Sequence, residues 1–178
     1  MHKLIRIAAL RSAHVTALIV GSLLLTSCAG YQLGSMLPPD IETVFVPTFV
    51  NDTEEPLLEV ETTRRAISYI QRDGSLRIAS ENTADSILLV TLTDFEIAAI
   101  AYDRTRRAAA EEYRMFIRAS VQLVRRTTGT VIAEDPRVVG ESTFLLVGDL
   151  TSAKLTGIPD AAEDLAQRIV SAIVEAWL

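Results

Sequence analysis

Cys28 is the only cysteine in the 178 residues, and it stands in Leu25-Thr26-Ser27-Cys28, where an apolar run gives way to polar sequence. A thiol can pack in a core, act as a nucleophile or mark a processing point. A nucleophile needs a base beside it. Both histidines, His2 and His14, precede Cys28, so neither Ser–His–Asp nor Cys–His chemistry is available beyond it. Zinc sites built from His and Cys are excluded on the same ground. Ser152 and Lys154 are two residues apart, which is not the SxxK spacing, and no Gly-rich phosphate loop occurs. Asp52, Glu54 and Glu55 could hold a hard cation, but acids before a helix more often complement its dipole. The expectation is a chain that is no enzyme and takes no cofactor or metal. Its chemistry then rests with Cys28 and the basic side chains.

The context of Cys28 supplies its chemistry. Lys3, Arg6 and Arg11 open the chain with no acid among them, and the stretch from Val15 to Leu25 is free of charge. That stretch falls short of the ~20 apolar residues that span a hydrocarbon layer. A basic start, a short apolar middle and small residues before a cut describe a secretory leader, residues 1–27. Leu25-Thr26-Ser27-Cys28 is also similar to a bacterial lipobox, whose cysteine is lipidated and becomes the first residue. Cys28 is then expected to carry diacylglycerol on its sulfur and a further acyl chain on its amine. Two or more chains hold a protein on a membrane stably, at ~0.8 kcal/mol per buried CH₂. In lipoproteins of this kind an aspartate after the cysteine keeps the protein at the inner membrane. Ala29 occupies that position and implies the outer membrane.

Charge narrows the partners. Three of the 17 basic residues precede Cys28 and none of the 23 acids does, leaving 14 against 23, a formal −9. A nucleic-acid binder would show a basic balance, so no nucleic acid is expected. Seven of those 14 basic residues fall between Arg104 and Arg126, and Lys154 is the only lysine after Cys28. Arg104, Arg106 and Arg107 sit in an alanine-rich turn. They can be read as a solvated hairpin paired to Glu111 and Glu112, or as a phosphate-binding cluster, since guanidinium binds phosphate bidentately. Phe116, between Arg114 and Arg118, is either a stray exposed aromatic or part of a partner-binding patch.

The elements that must carry these residues follow from periodicity. Residues 28–40 form a tether with prolines, and 41–178 suit one domain. IETVFV (41–46) is a β-branched strand that Pro47 ends. Thr53 is a plausible N-cap, Leu58, Thr62, Ala66, Tyr69 and Ile70 recur at helical spacing, and Asp73-Gly74 stops that helix. Residues 76–79 make a short strand. Residues 86–101 are a long strand, apolar on both faces in its first half and therefore expected to be covered on both sides. In the next strand Tyr113, Met115, Ile117, Ala119, Val121 and Leu123 point one way, and Arg114, Phe116, Arg118, Ser120 and Gln122 the other. A turn at 127–129 leads to a strand interrupted by Pro136. Residues 149–158 read as a loop and Pro159 as the start of a last helix, with Leu165, Ile169 and Ile173 on its buried face. The fold class is α+β, two helices packed on one face of a mostly antiparallel four- to five-stranded sheet.

CAGYQLGSMLP, the VPxFxNxTxEP pattern in 46–56, Ala84-Asp85 before the long strand, AEEYRM at 110–115 and a last helix reaching Trp177 together resemble the lipopolysaccharide-assembly lipoproteins. The resemblance covers almost everything after Cys28. It implies a plug subunit inside an outer-membrane β-barrel translocon, facing the periplasm and the barrel lumen, that assists insertion of lipopolysaccharide. It also implies that Arg104, Arg106 and Arg107 meet lipid A phosphates, with Lys154 as a second basic position. A regulatory lipoprotein of the peptidoglycan-synthase activator or curli-secretion type shares the strand, the helix and the Ala-Asp strand, and remains the alternative.

If acyl chains supply the membrane affinity, Cys28→Ala should move the protein from the membrane to the soluble fraction or leave it uncleaved. Fractionation that finds the variant still firmly in the outer membrane would refute the lipobox reading.

Overall fold

The computed structural model describes residues 37–102 and 110–175, so Cys28, the leader, most of the tether, Arg104, Arg106, Arg107 and Trp177 lie outside the described residues. The elements are β1 (Thr43–Phe45), β2 (Val50–Asn51), α1 (Leu58–Asp73), β3 (Arg77–Ile78), β4 (Ser86–Tyr102), β5 (Ala110–Arg125), β6 (Val131–Leu145) and α2 (Leu150–Val174). They form the expected α+β fold. The sheet has six strands in the order β3-β1-β4-β5-β6, with β2 beside β4. Its bulk is the antiparallel meander β4-β5-β6. The short β1, β2 and β3 are parallel additions. The strand beyond the expected four or five is β2, whose two residues carry no periodic signal.

The helices bury one face of the sheet. Met115, Ile117, Ala119, Val121 and Leu123 of β5 are buried, as their alternation requires, against Leu165, Ile169 and Ile173 of α2 in one core. Each of these side chains other than that of Ala119 contributes about 1.5–3 kcal/mol through burial. α1 lies beside α2 and adds Leu58, Ala66 and Ile70 to that core. Gly74 ends α1 in the left-handed conformation, φ 78°, with its N–H on the Ile70 carbonyl, the stop a glycine permits.

Four expectations fail, each for a physical reason. β4 is central but covered on one face only, so Leu89 on the other is 43% exposed. Its apolar doublets reflect position in the strand order rather than a second layer. Thr53 does not cap α1. The capping position is Leu57, at φ 63° with no side-chain cap. Pro136 does not break β6: between Ala119↔Val138 and Val121↔Asp135 the register slips by one residue, making a bulge at Pro136-Arg137. A sheet edge and a bulge are where a residue without an N–H is tolerated.

The largest difference is α2, which begins at Leu150 rather than at Pro159. Asp149 caps it, accepting from Ser152 N–H at 3.0 Å and from Ser152 Oγ at 2.8 Å, the satisfaction a helix start needs. The amide of Ser152 holds the Asp149 carboxyl below the usual carboxylate range. Gly157, within the expected loop, and Pro159, the expected helix start, both lie inside the helix. Pro159 deprives the Leu155 carbonyl of its helical donor, at a residue 60% exposed where water can replace it. A Cβ on Gly157 would lie 2.8 Å from a ring carbon of Phe144, and one on Gly140 of β6 would lie 2.5 Å from the Ala161 carbonyl oxygen and 2.6 Å from Leu165 N. Helix and strand touch there through backbone.

Gly140→Ala should therefore destabilise the domain by ~1–3 kcal/mol or more, because the obstructing atoms are main chain and cannot rotate away. A thermal melt of the variant indistinguishable from wild type would contradict this packing.

Candidate functional site

Asp85 joins the sheet at the end near Leu37. Its Oδ2 accepts from Thr43 Oγ1 at 2.6 Å, from Thr43 N–H at 3.0 Å and from Glu42 N–H at 3.3 Å, while its own N–H donates to Thr43 Oγ1 at 2.9 Å. The Thr43 hydroxyl, followed by these amides, holds the Asp85 carboxyl below the ordinary aspartate range. Arg126 donates to the Ala84 carbonyl at 2.6 Å, and Arg125 pairs with Asp40. The Ala84-Asp85 pair thus fixes β1 to the start of β4.

A second cluster joins the two helices. Asn51 Nδ2 donates to the Glu55 carbonyl at 2.9 Å and to Glu59 Oε2 at 2.8 Å. Its Oδ1 accepts from Thr53 N–H at 3.1 Å and from Thr53 Oγ1 at 2.7 Å. Thr53 Oγ1 in turn accepts from Glu55 N–H at 3.2 Å. Lys154, in the first turns of α2, donates to Glu55 Oε2 at 2.7 Å, and the two side chains are only 20% and 11% exposed. Breaking one member of so shielded a pair leaves the other charge poorly solvated. Further along, Glu163 of α2 accepts from Arg65 and Arg72 of α1. The Asn, Thr and Glu of the VPxFxNxTxEP pattern therefore shape the entry to α1 and hold the start of α2. Tyr113 of AEEYRM also packs, stacked on Phe144 with ring centroids 5.8 Å apart.

Along β5 the arginines differ in partnership. Arg125, at the end near Leu37, has Asp40. Arg118 bridges Asp94 and, at 2.9 Å, Glu96 on β4, and lies 5.4 Å from the Phe116 ring. The register accounts for both contacts, because Asp94 and Glu96 stand opposite Arg118 and Phe116. Arg114 faces Ala98 and Thr143 across the strands, is exposed, and has no acid partner among the described residues. Along β5, then, Arg125 and Arg118 are paired with acids and Arg114 is not.

That far end is where β4 and β5 deliver residues 103–109. Tyr102 pairs with Ala110, whereas Ser86, at the other end of β4, pairs with Arg125 beside Asp40. The 17 residues of β4 span roughly 50 Å at ~3.3 Å per residue. Of the sequence-predicted site residues, Lys154 is on α2 and held by Glu55, while Arg104, Arg106 and Arg107 lie outside the described residues. Sequence reasoning missed the Glu55–Lys154 pair. Ninety-nine positions separate its members, and no local pattern signals such a contact. Among the described residues no group of acids, His or Cys is arranged to hold a metal, and no helix is long and apolar enough to cross a membrane.

A search of curated proteins gives no match. Among solved structures, the chain is similar to a subunit of a PelC dodecamer from Paraburkholderia phytofirmans, at 15% identity and TM-score 0.47, covering 81% of this chain and 96% of that one. It is likewise similar to uncharacterised lipoprotein B from Nitrosomonas europaea, at 15% identity, TM-score 0.49 and coverage of 83% and 97%. A minor lipoprotein from Acinetobacter baumannii matches at 10% identity, TM-score 0.48 and coverage of 75% and 94%. The family itself rests on a different finding: the family model for lipopolysaccharide assembly, LptE, matches residues 41–173, from just before β1 to the last turn of α2. With all eight elements inside or reaching that match, the chain belongs to the lipopolysaccharide-assembly family, LptE.

Proposed function

We propose that this protein is an outer-membrane lipoprotein, anchored through acylated Cys28, that assembles with and plugs a β-barrel translocon and assists insertion of lipopolysaccharide. On this reading residues 1–27 are the leader, 28–40 the lipidated tether and 41–178 the working domain, and no reaction is catalysed. The observation that carries it is the family match over residues 41–173. Barrel interiors are polar, and the uncovered face of the sheet, with Asp94, Glu96, Arg114, Arg118, Gln122 and Glu134, is compatible with such a lumen.

Within that role Arg104, Arg106 and Arg107 contact lipid A phosphates. Support comes from the arginines within β5 that face the uncovered side: Arg118 is paired with acids, and Arg114, nearer residues 103–109, is not. Lys154 would join them only if its pair with Glu55 opened, so its contribution is the smaller one.

Replacing Arg104, Arg106 and Arg107 together by Glu should abolish lipopolysaccharide binding, and should do so more completely than replacement by Ala, since reversed charge repels phosphate. Wild-type binding should weaken with salt, because exposed charges are screened beyond ~8–10 Å near physiological ionic strength. The measurement is binding of purified full-length protein to lipopolysaccharide alongside a circular-dichroism melt. Lost binding with a retained melt supports the reading. Retained binding with a retained melt returns the three arginines to a solvated surface, and loss of both makes them structural.

A further inference from the structure

β4 outruns everything that pairs with it on the side away from β5. β1 reaches it at Ser86 and Ile87, and β2 at Thr91 and Leu92. Asp52 N–H then bonds to the Leu92 carbonyl at 3.0 Å. From Asp94 onward the strand pairs with β5 alone, and the strand order places no described strand on its other side. Main-chain groups alternate in direction along a strand, so part of this stretch presents donors and acceptors outward.

Exposed edges are normally blunted by charge, proline, bulges or cover. β6, the edge across the sheet, shows three of these. Pro136 lacks an N–H, Asp135 Oδ1 takes the Arg137 N–H at 2.8 Å, and Asp164 Oδ2 of α2 takes the Glu141 N–H at 2.9 Å. Residues 97–101 of β4 read Ile-Ala-Ala-Ile-Ala, with no charge and no proline, and the one blunting feature there is the register irregularity between Ala99 and Tyr102, which leaves Ile97 to Ala99 regularly paired. The alanines permit close approach, and Ile100 is 42% exposed.

We propose that this edge, residues 97–101 of β4, is a strand-addition site whose occupant is an extended segment of the β-barrel partner. The inference rests on the barrel-partner reading above and names the element that meets it. An extended polypeptide is the ligand that matches a row of alternating donors and acceptors at strand spacing. Charge at this edge does not select the occupant: Asp94 and Glu96 at the near end share Arg118, and Arg114, opposite Ala98, has no acid partner among the described residues. A second copy fits poorly, because each chain carries a formal −9 from Cys28 onward and like-charged copies repel. Five paired residues also bury far less than the ~800 Å² per partner of a stable dimer. A barrel that surrounds the chain supplies the remaining contact elsewhere.

The test uses the full-length protein in its native envelope, with a photoreactive phenylalanine replacing Ile100 on the edge or Gln122 on the uncovered face. The expected result is an Ile100 adduct mapped to an extended segment of an outer-membrane barrel. Ile100 has no residue opposite it in β5, since the register passes from Ala99↔Tyr113 to Ala101↔Glu112, and the melt reports whether Ile100→Pro spares the ladder. That variant should recover at least tenfold less barrel on affinity purification, with an unchanged melt. Barrel adducts from Gln122 but none from Ile100 would overturn the edge inference and leave the partner reading standing. An Ile100 adduct to a second copy, or undiminished barrel recovery with Ile100→Pro, would overturn it also. Barrel adducts from neither position would overturn the partner reading and the inference with it.

Discussion

Helix α2 meets strand β6 at two places where only a hydrogen atom fits. Gly140 faces the main chain of Ala161 and Leu165, and Gly157 faces the ring of Phe144. Ser142 Oγ donates to the Gly157 carbonyl at 2.9 Å between them, and Asp164 takes the Glu141 N–H. This contact sets the height of the helix above the sheet, and much else follows from it. Leu165, Ile169 and Ile173 reach the inward face of β5 because the helix lies this close. Lys154 reaches Glu55 because the helix already runs through residue 154, and Glu163 meets Arg65 and Arg72 along the same axis. α1 is thus held through α2 as well as through its own apolar face.

The same contact explains where sequence reasoning succeeded and where it did not. The alternation of β5 was legible because a half-buried strand writes its burial into every second residue. The stop at Gly74 was legible because a left-handed residue there needs no partner. The first turns of α2 were hidden. Glycine and proline are poor helix formers by local preference, and at Gly157 a tertiary approach demanded the glycine. The single covering of β4 was hidden as well, since apolar residues on both faces fit either a sandwiched strand or one with an open face. The arginines of 104–107 were legible as a charge cluster, yet their role was not, because composition cannot separate a wet hairpin from a phosphate site.

A division of labour emerges along the domain. The residues that carry the family pattern most visibly, Asn51, Thr53, Glu55, Asp85 and Tyr113, each have a structural partner. They hold the sheet and helices in register near β1, β2 and the start of α2. On the function proposed above, binding falls to the parts farther from Leu37: the long β4–β5 ladder, its edge and Arg104, Arg106 and Arg107. Such a division lets binding residues vary without cost to the fold, since exposed charges contribute little stability.

That division is the central claim, and one titration tests it directly. Amide resonances of the full-length isotope-labelled protein would be followed as purified lipopolysaccharide is added. The account predicts shifts at residues 103–109 and at the adjoining ends of β4 and β5, with Asn51, Thr53, Glu55, Asp85 and Lys154 unmoved. Shifts centred on the Glu55–Lys154 pair, with residues 103–109 unaffected, would contradict it.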